Sequence, residues 1–173
     1  MEGSITPNYV WITAGVGMWT NEKTAEELAK REAGVDKFKI IRVATMLDSP
    51  FVAIGKKEFY QRLSGARRAY MVGDIHHVSP QEGVSGDISA LSASGWGGVS
   101  WCVSYDRPRV NTQSLLPFSK RELICEFEQV VSGESPDPLT IEVSIDKDRE
   151  KPYGCIVLAA MIIGDLGYNE QPH

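Results

Sequence analysis

The side chains able to do chemistry are few and scattered. Two of the three histidines, His76 and His77, are adjacent. Neighbours in an extended segment point to opposite faces, and no third ligand stands at useful spacing, so no metal is expected. Ala14-Gly15-Val16-Gly17 precedes a helical pattern, and it reads either as a tight turn or as a loop that cradles a ligand with backbone N–H groups. It lacks the third glycine of a dinucleotide fingerprint, and no Gly-Lys-Ser/Thr phosphate loop occurs, so no nucleotide is expected. There is no Gly-x-Ser-x-Gly elbow. A Ser-His-Asp triad cannot be assembled, because three histidines among many serines pair by accident. Cys102, Cys125 and Cys155 sit in the apolar runs SWCVSY, LICEF and GCIVL, which predicts buried free thiols in a reducing compartment. Glu26 and Glu27 fall on a helical stretch, where charges usually form a solvated face.

The elements that would carry these residues are mostly strands. Tyr9 to Thr13 (YVWIT) reads as a β-type run. A helix follows, capped by Thr20 or Asn21, with Ala25, Leu28, Ala29 and Ala33 on one face and Gly34 as its stop. Phe38 to Ala44 reads as a strand rich in β-branched and aromatic residues, with Phe51 to Ile54 and Ala69 to Val72 as weaker candidates. Asp87 to Ser94 and Gly98 to Tyr105 alternate apolar with small polar residues. Ser119 and Glu122 form a capping box for a second helix, with Leu123, Ile124, Phe127, Val130 and Val131 as its apolar stripe and Gly133 as its end. Leu139 to Ile145 alternates cleanly, and Gly154 to Ile163 is apolar enough to sit centrally in a sheet. Strands outnumber helices by more than two to one. The expected fold is a sheet-based sandwich covered by two or three helices.

The chain has 173 residues, the size of one domain, with an apolar fraction of 42% and a charged fraction of 24%. Residues 1–173 are therefore expected to form a single domain around one core. The net charge is −5 and no Lys/Arg run exceeds two, which argues against nucleic acid and suits a cationic small molecule. The opening MEGSITPNYV has no basic region followed by an apolar core, so no signal peptide is expected there. The longest apolar stretch, Cys155 to Ile163, is about half the ~20 residues a membrane helix needs. No membrane partner is expected, and the chain reads as cytoplasmic.

Three stretches in order resemble the pyruvoyl-dependent arginine decarboxylases. They are WITAGVG with a helix ending in AGV, then FKIIRVATML, then IEVSIDKDREKPYGCIVLAAMII; GDISALSAS adds a fourth. The resemblance covers most of the chain. It implies an α/β (α+β) fold, a layered αββα sandwich of mainly antiparallel sheets with covering helices. It also implies a homotrimer with sites between neighbouring subunits. Members of that family cleave their own backbone and convert a serine into a pyruvoyl group. The ketone forms a Schiff base with an amino acid and accepts the electrons released as CO₂ departs.

Carried onto this chain, the resemblance places self-cleavage between Ala44 and Thr45, with a self-derived ketoacyl group from Thr45. Threonine has the required hydroxyl and α-hydrogen and would give a 2-oxobutanoyl group. Glu27 matches the acidic position that reads a guanidinium, with Gly15 and Asp36 also implied in substrate binding. Four positions depart from the family pattern, Thr45 itself standing where the family has its serine. Ala44 stands where a hydroxyl residue is usual, Lys39 where an asparagine steadies cleavage, and Ser104 where a glutamate donates a proton. Thr45, Lys39 and Ser104 are thus the implied catalytic set, and arginine or a related cationic amino acid the implied substrate. Two alternatives stay open: Thr45 as a direct nucleophile for acyl transfer, amide formation or hydrolysis, and a non-catalytic protein that binds a small cation or a partner.

Overall fold

In the computed structural model the described residues are 8–42, 50–63, 68–79, 83–93, 95–105, 115–118, 120–130, 137–146 and 150–163. Nine strands and three helices lie among them. In chain order these are β1 (Asn8–Trp19), α1 (Glu22–Ala33), β2 (Lys39–Arg42), β3 (Phe51–Ala53), α2 (Lys56–Arg62), β4 (Arg68–Val78), β5 (Val84–Ala93), β6 (Trp96–Tyr105), β7 (Leu115–Phe118), α3 (Lys120–Val130), β8 (Leu139–Ile145) and β9 (Tyr153–Ile163). Five strands form one sheet in the order β2-β4-β9-β1-β3, and four form a second in the order β7-β6-β5-β8. Pairing is antiparallel except where β3 joins β1 and β2 joins β4 at the edges of the first sheet.

The period-2 pattern of each strand explains the layering. On β1, Val10 and Ile12 face the second sheet, together with Ile156, Leu158, Ala160 and Ile162 of β9. From the second sheet Val84, Ile88, Val99, Val103 and Ile145 meet them, closing the central core. The alternate residues Trp11, Cys155, Val157, Ala159 and Met161 pack outward against Ala25, Ala29 and Ala33 of α1 and Phe59 of α2. A smaller cluster of Leu91, Leu123 and Phe127 seats α3 on the outer face of the second sheet. The result is a mixed α+β sandwich in four layers, helices on the outside and two sheets within. β9 is apolar on both faces because both are covered, and every residue from Cys155 to Met161 is fully buried. Among the described residues no helix is long and apolar enough to cross a membrane.

Several boundaries differ from the sequence reading, each for a physical reason. Ala14-Gly15-Val16-Gly17 is neither a turn nor a loop but the middle of β1, paired residue by residue with β9. The glycines let α1 lie directly on the strand: a Cβ at Gly15 would come 2.4 Å from the Ala29 carbonyl oxygen, and one at Gly17 2.2 Å from that of Ala25. Asn21, rather than Thr20, caps α1, its side-chain oxygen accepting from the Thr24 N–H at 2.8 Å. Gly34 ends the helix with φ at 79°, as its position after Ala33 predicts. β4 extends well beyond Ala69 to Val72 and takes in both His76 and His77. Cys125 is exposed, against the expectation of burial. It is two residues from each of the buried Leu123 and Phe127, and so lies on the opposite side of α3. Ser119, Val131 and Gly133 lie outside the described residues.

Candidate functional site

Ala44 and Thr45 lie outside the described residues. β2, the strand that precedes them, ends at Arg42 beside Met71 of β4. Beyond Met71, β4 continues through Val72 and Gly73 to Asp74 and His76. Both of these share the parity of Val72 and Val78, which face the central core. The Asp74 carboxylate oxygen Oδ2 and His76 Nδ1 are 3.5 Å apart, with 28% and 23% of their side chains exposed. An acid and an imidazole therefore stand together on the inner face of the strand next to β2.

The other residues singled out in the sequence do not converge within one chain. Lys39 opens β2 and is exposed, on the strand face opposite Ile40, which packs toward the helices. Glu27 is exposed on α1. Ala25 and Ala29, each two residues away, are buried against the sheet, so Glu27 faces outward from the first helical layer. Ser104 is exposed on β6. Val103 beside it points into the central core, which puts Ser104 on the outer face of the second sheet. Both sheets thus stand between Glu27 and Ser104. Gly15 is buried beneath α1, where the space beside it is filled by helix backbone. Asp36 follows α1 and is exposed. It lies near Tyr60, whose hydroxyl donates to the Gly34 carbonyl. Burial, and then the Asp36 charge, push that hydroxyl above the usual tyrosine range.

Two groupings were not legible in the sequence. On the helix side of the first sheet, His77 Nε2 lies 2.8 Å from Glu26 Oε1 and His77 Nδ1 lies 3.4 Å from Glu22 Oε1. Lys30 Nζ donates to the other Glu26 oxygen at 2.9 Å. Cys155, the partner of His77 across the β4–β9 ladder, lies under α1 with its thiol pushed up to about 12, chiefly by burial. It is fully buried, so it is no nucleophile.

The second grouping lies on the outer face of the second sheet. Ser85, Asp87, Glu142 and Ser144 line a pocket of about 440 Å³. Their strands also place Cys102 of β6 and Glu142 of β8 directly opposite Asp87 of β5. Burial, then the Glu142 charge, hold the Asp87 carboxyl above the usual range, while Lys120 opposes them. The alternation in DISALSAS and LTIEVSI was visible in the sequence. Which residues it would set face to face depends on strand register, which was not.

Among the described residues no group of three or more His, Cys, Asp or Glu side chains could hold a metal ion. No protein-family model matches the chain, and no curated protein matches it in sequence.

Proposed function

We propose that the chain is a divergent self-processing enzyme of the pyruvoyl-dependent arginine decarboxylase type, working at Ala44-Thr45 on arginine or a related cationic amino acid. The observation that carries this reading is architectural. Two sheets between helical layers agree with the sandwich that the resemblance implies, and the WITAGVG segment lies under the helix that follows it.

Processing would begin with the Thr45 hydroxyl attacking the Ala44 carbonyl carbon and displacing its own amide nitrogen, which leaves an ester and a free amine. Loss of the Thr45 α-proton expels the Ala44 carboxylate and breaks the chain. Water then replaces the nitrogen, which leaves as ammonia. Threonine's hydroxyl and α-hydrogen fit this sequence. The 2-oxobutanoyl group so formed supplies an electron sink for decarboxylation. Glu27 and Ser104 lie on opposite sides of one chain, so a substrate pocket using both would have to be completed by neighbouring copies, as in a trimer. Glu27 would hold the cationic end of the substrate through paired hydrogen bonds.

A second reading keeps Thr45 as a nucleophile for acyl transfer or amide hydrolysis without decarboxylation. The serine at position 104 favours it, because a hydroxyl is a poor replacement for an acid that must protonate a carbanion. Intact mass under denaturing conditions separates the two. Fragments of 44 and 129 residues, the larger refractory to Edman degradation, are expected for the first reading. An uncut chain of 173 residues overturns it.

A further inference from the structure

Asp87 and Glu142 are direct cross-strand partners on β5 and β8, on the sheet face that carries α3. Like charges set opposite each other in a ladder repel. One oxygen of Asp87, Oδ1, is shut off from solvent and has no hydrogen-bond partner among the described residues. A buried carboxylate oxygen without a donor is costly. A proton retained on Asp87 would remove one charge from the pair and the cost of burying it.

Among the described residues the other ionisable groups facing Asp87 are few. Cys102 lies opposite it on β6, with a thiol raised by burial and by the Asp87 charge. Lys120 and Glu122 come from the first turn of α3. Lys120 is the cation among them, and it does not outweigh burial and Glu142. The strand at stake is the weakest-held of the second sheet's long strands. β8 is an edge strand, paired with β5 alone, and most of its residues are exposed or half-exposed.

We propose that Asp87 and Glu142 form a proton-operated latch on β8. With Asp87 protonated, the like-charge repulsion across the ladder is lifted and the edge strand stays on β5; with Asp87 charged, it pushes against Glu142. Asp87 is held above its unfolded value of 3.8. The stabilisation is therefore complete below that value and is lost as pH rises through the folded one. The pocket of Ser85, Asp87, Glu142 and Ser144 lies over the latch, so the same proton sets whether it presents one carboxylate or two.

Hydrogen–deuterium exchange of the full chain, expressed as protection factors at about pH 4 and about pH 8, tests this. In the wild type, amides of Leu139–Ile145 should be several-fold better protected at the lower pH. Asp87→Asn should remove that difference and Glu142→Gln should lessen it, while wild-type protection in β9 shows no matching change. Should Asp87→Asn fail to fold, the lessened response of Glu142→Gln carries the test. Wild-type β8 protection that ignores pH overturns the latch. So does a pH response that either substitution leaves at full size, or one shared equally by β9.

Discussion

His77 on β4 and Glu26 on α1 lie 2.8 Å apart, tying the first helix to a strand 51 residues away in sequence. Lys30 on the helix engages the other oxygen of the same carboxylate. Its hydrogen bond is the main influence holding Glu26 below the usual carboxylate range, against a burial effect and with help from His77. A carboxyl depressed in the folded state stabilises fully above its unfolded value of 4.5, and that contribution fades as pH falls through the folded value. Glu26→Gln should therefore lower stability at neutral pH by about 0.5 kcal/mol, since the group is partly solvated. It should also flatten part of the acid-side loss. Urea unfolding at neutral and acid pH measures both.

Gly17→Ala should be far more damaging than its single methyl suggests. The new Cβ would meet the Ala25 carbonyl oxygen at 2.2 Å and the Ala29 nitrogen at 2.6 Å, both in helix backbone. Since α1 must move as a body to relieve the clash, a loss of about 1–3 kcal/mol is expected. For a chain of this length that corresponds to about 2–4 °C in Tm per kcal/mol, read by thermal unfolding.

Gly55→Ser should act in the opposite direction. Gly55 occupies the N-cap of α2 with extended backbone and offers no side-chain cap. A Cβ there meets nothing within 4 Å. A serine hydroxyl could accept from the open N–H groups of the first turn, adding a few tenths of a kcal/mol. A rise of about 1 °C in Tm is the expected readout.

The thiols should separate by reactivity. Cys125 is exposed, whereas Cys102 and Cys155 are buried with raised thiol pKa values. Iodoacetamide followed by mass spectrometry should label Cys125 first in the native protein. Cys155 should react only once α1 has left the sheet, at a rate that tracks unfolding.

Legibility in the sequence followed the range of the interaction. Asn21 and Gly34 act within one turn of chain, and both ends of α1 could be read from the residues themselves. The alternation in Leu139–Ile145 and the apolar run of β9 likewise betray strands whatever their partners. Gly15 and Gly17 misled, because a glycine that admits a helix to a strand looks the same in sequence as one that makes a turn. α2 is a seven-residue helix held by Phe59, which packs 5.2 Å from Trp11, and so few residues show no helical period. The facing of Asp87 to Glu142 needs the register of two strands with α3 between them in sequence, and a slip of one residue would reverse it. The separation of Glu27 from Ser104 has the same origin: it follows from which sheet each element joins.

β9 comes last among the described strands yet lies between β1 and β4, pairing with both along most of its length. During synthesis, then, two strands made early must wait with their hydrogen-bonding edges open until the chain has emerged past residue 163. The first sheet is assembled by insertion rather than by growth at an edge, and the helix already lying on β1 can cover only one side of the gap. Until the insertion is complete, that gap is the place where a foreign strand could enter.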